Sequence, residues 1–129
     1  MLSLNSTQAE TKKLIEDISK LINLDPLLTS AIALTESSLG INLLSPTKCR
    51  GVFGMSSIAM KDLLLEMHKP KNRDISILCG LAFIKLLIRR WGNEQDAINH
   101  FCSPKDRVFY NSRIKKYKQQ LSELNQENV

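Results

Sequence analysis

The chain has 129 residues, of which 43% are hydrophobic and 24% are charged. This size and composition match one globular domain, which excludes a disordered or fibrous chain and also a pair of domains joined by a linker. The formal net charge of +5 suits an anionic partner (nucleic acid, a membrane or a cell wall) without choosing among them.

Membrane, secretion and metal signals are absent from the sequence. No apolar run approaches the roughly 18–20 residues of a membrane-spanning helix, so no transmembrane segment is predicted. The stretch 1–11 lacks the basic and apolar regions of a signal peptide, so we expect either a signal already removed or another delivery route. The three cysteines, Cys49, Cys79 and Cys102, have no CxxC spacing and are expected to be free thiols. No metal and no other cofactor is predicted.

Six helices are predicted in chain order. In the first, Thr7 and Glu10 have the spacing of a capping box, and apolar residues then recur at helical intervals. In the second, Asp25 is an N-cap followed by Pro26 at the first helical position, and Gly40 is a natural stop. The apolar stripe of the first helix consists of Leu14, Ile15, Ile18, Leu21 and Ile22.

A long irregular stretch follows at 41–55, where turn residues cluster. Loops of this length in compact domains are often functional, and this one has room for a small β-hairpin. A third helix is predicted at 57–69.

The fourth predicted helix begins after Asp74, its expected N-cap, and ends near Gly92. Its apolar residues cover most of its circumference, which predicts a buried central helix. Trp91 at its end is interpreted as a core residue, with a platform for a sugar ring as the alternative. The two apolar stripes consist of Leu78, Cys79, Ala82, Phe83 and Leu86, and of Ile77, Leu81, Ile84 and Ile88.

Asn93 is predicted to cap a short fifth helix, on which His100 is interpreted as a surface residue. In the sixth helix the tail from Asn125 is expected to fray. The basic residues of 105–118 are interpreted as a solvated face. The apolar stripe of the sixth helix consists of Tyr110, Ile114, Tyr117, Leu121 and Leu124.

Glu36 is the candidate catalytic residue. It lies four residues after Ile32, beside the apolar stripe of the second helix. Desolvation raises the pKa of a carboxyl group, and a glutamate with a raised pKa suits a general acid. A structural carboxylate at a helix end, solvated or bonded to nearby serines, is the commoner origin of the same spacing. The spacing alone therefore leaves both interpretations open.

Four short blocks occur in an order that is typical of a known family. They are Glu36-Ser37, then Ser45-Pro46 with Gly51-Val52-Phe53-Gly54-Met55, then Ser76-Ile77, and last Ala97-Ile98-Asn99-His100-Phe101-Cys102-Ser103-Pro104. Together they resemble the bacterial soluble lytic transglycosylases, which are relatives of goose-type lysozyme. The resemblance spans roughly residues 14–120. It implies a mainly α, lysozyme-like single domain over 1–129 with a glycan groove.

The resemblance also implies an activity. In this family one glutamate, here Glu36, protonates the glycosidic oxygen between MurNAc and GlcNAc. It then acts as a base on the 6-hydroxyl of the same sugar, which gives a 1,6-anhydro product without water. Ordinary glycoside hydrolysis requires a second carboxylate, and no Asp or Glu lies between Glu36 and Lys61. The implied partner is peptidoglycan, in the periplasm or cell wall, opened locally for secretion, conjugation or phage passage.

The matching positions also predict which residues contact the glycan or orient the glutamate. They are Ser37, Ser45, Gly51, Phe53, Gly54, Met55, Phe101 and Cys102, and Ser56 and Tyr110 are added as replacements. For Ser37 and Ser45 a structural role, in capping the helix end or holding the loop, is equally open. Gly51 is expected to serve a tight turn rather than to contact the sugar. Four polar residues of the family are replaced here. The family's Gln falls on Gly54, its Tyr on Phe101, and two Asn on Cys102 and Ser76. Candidates to replace the missing hydrogen bonds are Tyr110, Asn99 and Ser56.

These replacements leave two alternatives beside the enzyme. One is a glycan-binding or assembly protein of the same fold with impaired catalysis. The other is a basic helical nucleic-acid-binding module, although no recognition-helix signature stands out. We favour the peptidoglycan-cleaving enzyme, either a lytic transglycosylase or a lysozyme-like hydrolase, because Glu36 is the one residue that the chemistry cannot lose.

Overall fold

The computed structural model describes residues 2–42, 51–55, 73–101 and 106–127. These residues are mainly helical and include no extended strand, which confirms the helical class. The helix predicted at 57–69 and most of the long loop lie outside the described residues. The helices are α1 (Ser6–Leu21), α2 (Pro26–Ser37), α3 (Arg73–Trp91), α4 (Glu94–Phe101) and α5 (Arg107–Glu127).

The start of α1 corrects the predicted capping box. The N-cap is Asn5 rather than Thr7. Its side chain accepts the N–H of Gln8 at 2.8 Å, and Gln8 Oε1 accepts the N–H of Asn5 at 3.0 Å. Gln8 has an advantage over Glu10, since its side-chain amide also donates to the carbonyl of Ser38 at 3.1 Å. A carboxylate has no such donor.

The central helix of the described residues is α2, which packs against both α1 and α5. Its start is as predicted: Asp25 accepts the N–H of Leu27 at 3.0 Å, and Pro26 occupies the first helical position. Inside the core the hydroxyls of Ser19 on α1 and Thr29 on α2 lie 2.8 Å apart. The buried residues of α2 are Leu28, Thr29, Ser30, Ala31, Ile32, Ala33, Leu34 and Ser37.

The prediction that the fourth helix is buried all round was wrong, because this helix, α3, is buried on one side only. Ile77, Leu81 and Ile84 lie in the core, whereas Ile75 and Leu78 are 46% and 55% exposed. Among the described helices, α3 packs against α1 and α4. Apolar residues around a helix do not specify how many neighbours will cover it.

Three helix ends test the local predictions. Asn93 caps α4 as predicted, because its Oδ1 accepts the N–H of Asp96 at 2.8 Å. Asp74 lies inside the first turn of α3 rather than before it, which corrects its assignment as a cap. The last helix continues past Asn125, where fraying was expected to begin, to Glu127. Asn125 is helical, and Lys12 Nζ on α1 donates to its Oδ1 at 2.8 Å.

The predicted stripes of the first and last helices are confirmed with one exception. Tyr110, Ile114 and Leu121 of α5 are buried, and Ile15 of α1 is fully buried. Leu21, however, is 82% exposed at the last residue of α1. None of the helices in the described ranges combines the length and the apolar character needed to cross a bilayer.

Candidate active site

The site is built around the last turn of α2, which carries Glu36. Beyond the helix, Ser38, Leu39 and Gly40 all have positive φ, at 53°, 54° and 89°. This conformation costs a non-glycine residue on the order of 1–3 kcal/mol. It persists here because Leu39 is fully buried and because Gln8 bonds the backbone and hydroxyl oxygens of Ser38. The helix thus ends three residues before Gly40, its predicted stop.

Two buried serines hold the segment 51–55 between α2 and α3. Ser37 Oγ donates to the carbonyl of Val52 at 2.6 Å, and Ser76 Oγ accepts the N–H of Val52 at 3.1 Å. Ser37 Oγ also accepts the N–H of Gly40 at 2.9 Å. Both backbone groups of Val52 are therefore satisfied inside the protein. Of the two roles open to Ser37, these contacts support holding the loop.

Gly54 lies directly against the carboxylate of Glu36. A Cβ built on Gly54 would overlap Glu36 Oε2 and would lie 3.2 Å from Glu36 Cδ. Gly54 also has a φ of 60°, which side chains rarely adopt. The resemblance implies a Gln at this position. Any side chain here would overlap the glutamate and displace it.

Tyr110 of α5 supplies a hydroxyl to the same carboxylate. It is 7% exposed, and the interaction of its side chain with Glu36 lowers the pKa of that carboxyl. Phe101, the position that resembles the family's Tyr, has no hydroxyl to offer. Tyr110, which sequence analysis named as a candidate replacement, is thus brought to Glu36 from a different helix.

The partial burial of Glu36 changes its proton affinity. Desolvation raises the pKa of its carboxyl from 4.5 to about 7, and the hydrogen bond from Tyr110 lowers it by a smaller amount. Since this pKa lies close to neutral pH, the carboxyl is able both to donate and to accept a proton there. The desolvation expected from its place beside the α2 stripe is present.

Three of the predicted glycan contacts lie in the core. Phe53 and Met55 are 0% and 3% exposed, and Gly51 is also buried. A Cβ on Gly80 of α3 would overlap the Phe53 ring and would lie 2.6 Å from Phe53 Cβ. These residues fix the position of Gly54 between them rather than presenting a surface to a ligand.

The other predicted site residues are placed as follows. Phe101 is partly buried, with its ring centroid 5.8 Å from that of Phe83. It lines a small apolar cavity together with Ile32, which lies one helical turn before Glu36. Three of the predicted contacts lie outside the described residues, namely Ser45, Ser56 and Cys102.

Metal and thiol chemistry receive no support from the described residues. Within the described ranges, no three side chains of Cys, His, Asp or Glu are grouped so that they could hold a metal ion. Cys79 is a buried free thiol, and burial raises its pKa. Cys49 and Cys102 lie outside the described residues.

Sequence analysis missed an aromatic pair on the surface. Trp91, predicted in the core, is 45% exposed and stacks on His100 with centroids 3.7 Å apart and planes 9° apart. His100 is exposed, as predicted. Gly92 was the residue in the sequence that could have indicated this exposure. Its φ of 89° turns the chain away directly after Trp91, at the end of α3.

The free energy of unfolding should depend on the ionisation of Glu36. Its folded pKa of about 7 lies above the ordinary 4.5, so its stabilising contribution is complete below about pH 4.5 and is lost as the pH rises through 7. As the pH rises from acidic to alkaline, the free energy of unfolding of Glu36→Gln should increase relative to that of the wild type by on the order of 3 kcal/mol. Urea unfolding of both proteins across this range measures the difference.

The matched control for this measurement is Glu123→Gln, at an exposed position on α5. It removes a glutamate charge from the surface and so shows the effect of the substitution itself. If the Glu36→Gln difference were constant across this pH range, the carboxyl of Glu36 would not be desolvated.

Gly54→Ala should disturb the glutamate as well as the backbone. Gly92→Ala is the matched control for stability, because Gly92 also has a positive φ but a Cβ there meets open space. Both variants carry a backbone cost of roughly 1–2 kcal/mol, and Gly54→Ala carries the displacement of Glu36 in addition. Chemical unfolding should therefore show the larger loss for Gly54→Ala. Equal losses would mean that the contact with Glu36 is unimportant.

Comparison of the chain with protein-family models, with curated proteins and with solved structures finds no match in any of the three. A function for this protein is therefore inferred from the geometry around Glu36 and from the four sequence blocks.

Proposed function

We propose that this protein cleaves the β-1,4 bond between MurNAc and GlcNAc in peptidoglycan as a lytic transglycosylase with a lysozyme-like fold. The observation that carries the proposal is the environment of Glu36: a partly buried carboxyl with a pKa of about 7, bonded to Tyr110. The four sequence blocks that resemble the family add independent support.

The proposed reaction uses Glu36 twice. Its protonated carboxyl first donates a proton to the glycosidic oxygen, and the C1–O bond to the leaving GlcNAc unit breaks. The resulting carboxylate then removes the proton from the 6-hydroxyl of MurNAc, whose oxygen bonds to C1. The product is the 1,6-anhydro sugar, and Glu36 is protonated again. The reaction consumes no water and requires no second carboxylate.

The contacts around Glu36 suit these steps. The side chain of Tyr110 interacts with the carboxyl, and Gly54, which has no side chain, lies directly against it. The partial exposure of Glu36 leaves it within reach of a ligand. Ser37 and Ser76 keep the segment 51–55 in place through Val52. The carboxyl is thereby oriented before substrate binds, which is the general requirement for acid–base catalysis.

The cellular role follows from the substrate. A small enzyme of this kind would open the wall locally in the periplasm or cell wall, for secretion, conjugation or phage passage. The net charge of +5 favours association with an anionic wall polymer.

The test is digestion of purified sacculi, with the released fragments analysed by mass spectrometry. Anhydro-muropeptides would support the transglycosylase. Fragments heavier by one water would instead indicate a lysozyme-like hydrolase. Sacculus binding without any release would favour the impaired glycan-binding protein. Steeply salt-dependent binding to DNA, with none to sacculi, would favour the nucleic-acid-binding module.

A further inference from the structure

The stack of Trp91 and His100 joins the end of α3 to the last turn of α4. The ring centroids are 3.7 Å apart and the planes differ by 9°. His100 is held in turn by a 2.8 Å hydrogen bond between its Nδ1 and the carbonyl of Asp96. The indole is thus kept in a fixed plane although 45% of Trp91 is exposed.

A triad of amide side chains lies on the neighbouring part of α4 and α5. Gln95 Nε2 donates to Asn99 Oδ1 at 3.3 Å and to Asn111 Oδ1 at 3.1 Å. Asn111 Nδ2 donates to Asn99 Oδ1 at 2.9 Å. The Arg107 guanidinium bonds the carbonyl of Asn99 at 2.8 and 3.1 Å, which fixes α4 against α5. The three amides therefore have defined orientations at the surface.

The triad connects the aromatic stack to the candidate active site. Asn99 directly precedes His100, and Asn111 directly follows Tyr110. The side chain of Tyr110 interacts with Glu36. The residues that hold the stack and the triad thus adjoin, along α5, the residue that reaches Glu36.

We propose that Trp91 and the amide triad bind N-acetylated glycan units at a distance from the cleaved bond. A pyranose ring has an apolar face of C–H groups that stacks on an exposed aromatic plane. Its hydroxyl and N-acetyl groups pair with the donors and acceptors of amide side chains. This inference rests on the glycan specificity in the proposed function and extends it to a second part of the surface.

The charges on α4 favour a glycan over a phosphate polymer. Residues 94–101 include Glu94 and Asp96 but no Lys or Arg. A nucleic-acid surface needs cations to neutralise phosphates, whereas a sugar chain is recognised by flat aromatic and amide groups. His100 of the stack and two members of the triad, Gln95 and Asn99, lie on this helix, whereas Trp91 ends α3 and Asn111 lies on α5.

The experiment uses the fact that Trp91 is the only tryptophan of the chain. In the full-length Glu36→Gln protein, which removes cleavage, titration with chitohexaose should change the intrinsic fluorescence saturably. Calorimetry then compares affinities in the same background. Trp91→Ala should weaken chitohexaose binding about tenfold or more, and Trp91→Phe should recover part of the loss.

The matched control is Phe109→Ala. Phe109 is an aromatic residue on α5 that is 63% exposed, with the Arg113 guanidinium 4.8 Å from its ring centre. Its removal should leave chitohexaose binding unchanged. If the Trp91–His100 stack only clamps two helices together, Trp91→Ala will lower the melting temperature without weakening binding. That result, for a folded variant, would overturn the proposal.

Failure of this inference is distinguishable from failure of the proposed function. If the wild type releases nothing from sacculi but chitohexaose still changes the fluorescence of Trp91, glycan binding at this surface is supported and the cleavage activity is rejected. If sacculi are cleaved but Trp91→Ala binds chitohexaose as tightly as the protein that retains Trp91, the cleavage activity is supported and the binding surface is rejected.

Discussion

Replacing Glu36 with Gln should abolish the release of muropeptides from sacculi while leaving the fold intact. Glutamine has nearly the same shape and still accepts a hydrogen bond from Tyr110, but it neither donates the proton nor removes one. General acid–base catalysis by a single residue contributes roughly 10²–10⁴-fold, and here both proton transfers depend on Glu36. Product release should therefore fall by at least that factor, as measured by mass spectrometry over time.

The same preparations provide the controls. Glu123→Gln removes an exposed glutamate on α5 and should retain the activity of the wild type. The far-UV circular dichroism of both variants should match that of the wild type. If Glu36→Gln were fully active, Glu36 would have no part in catalysis, and the proposed function would be rejected.

The largest loss of stability is expected for Gly80→Ala. In an exposed helix this substitution is stabilising by roughly 1 kcal/mol. Here the new methyl group would overlap the fully buried ring of Phe53, and overpacking of this kind costs about 1–3 kcal/mol or more. Because the gain in helix propensity offsets part of this cost, urea unfolding should show a net loss of up to about 2 kcal/mol. Activity should fall as well, because Phe53 adjoins Gly54 beneath Glu36.

A double-mutant cycle isolates the cause of this loss. Phe53→Leu removes ring atoms, so adding Gly80→Ala in its background should cost less than in the wild type. If Gly80→Ala were neutral or stabilising, the Phe53 ring would not pack against α3. If the two costs simply added, the loss would have another origin.

Local features of the chain were predictable because their causes lie within a few residues. The Asp25 cap and the Asn93 cap each depend on a side chain that bonds an N–H two or three residues ahead. The same holds for the apolar stripe of α5, whose spacing repeats once per turn. The predicted capping pair, Thr7 and Glu10, has the same spacing as the observed pair, Asn5 and Gln8. The contact of Gln8 with Ser38, thirty residues away, favours the observed pair.

Periodicity and spacing along the chain were enough to predict the helical class, the apolar stripes of α1 and α5, and the desolvation of Glu36 beside an apolar helix face. Each of these features follows from the order of residues along one helix. The packing of the helices against each other makes α2 rather than α3 central, leaves Trp91 facing solvent and brings Tyr110 to Glu36. These features were not predictable, because burial and side-chain partners depend on which helices pack together, and the periodicity of one helix carries no record of its neighbours.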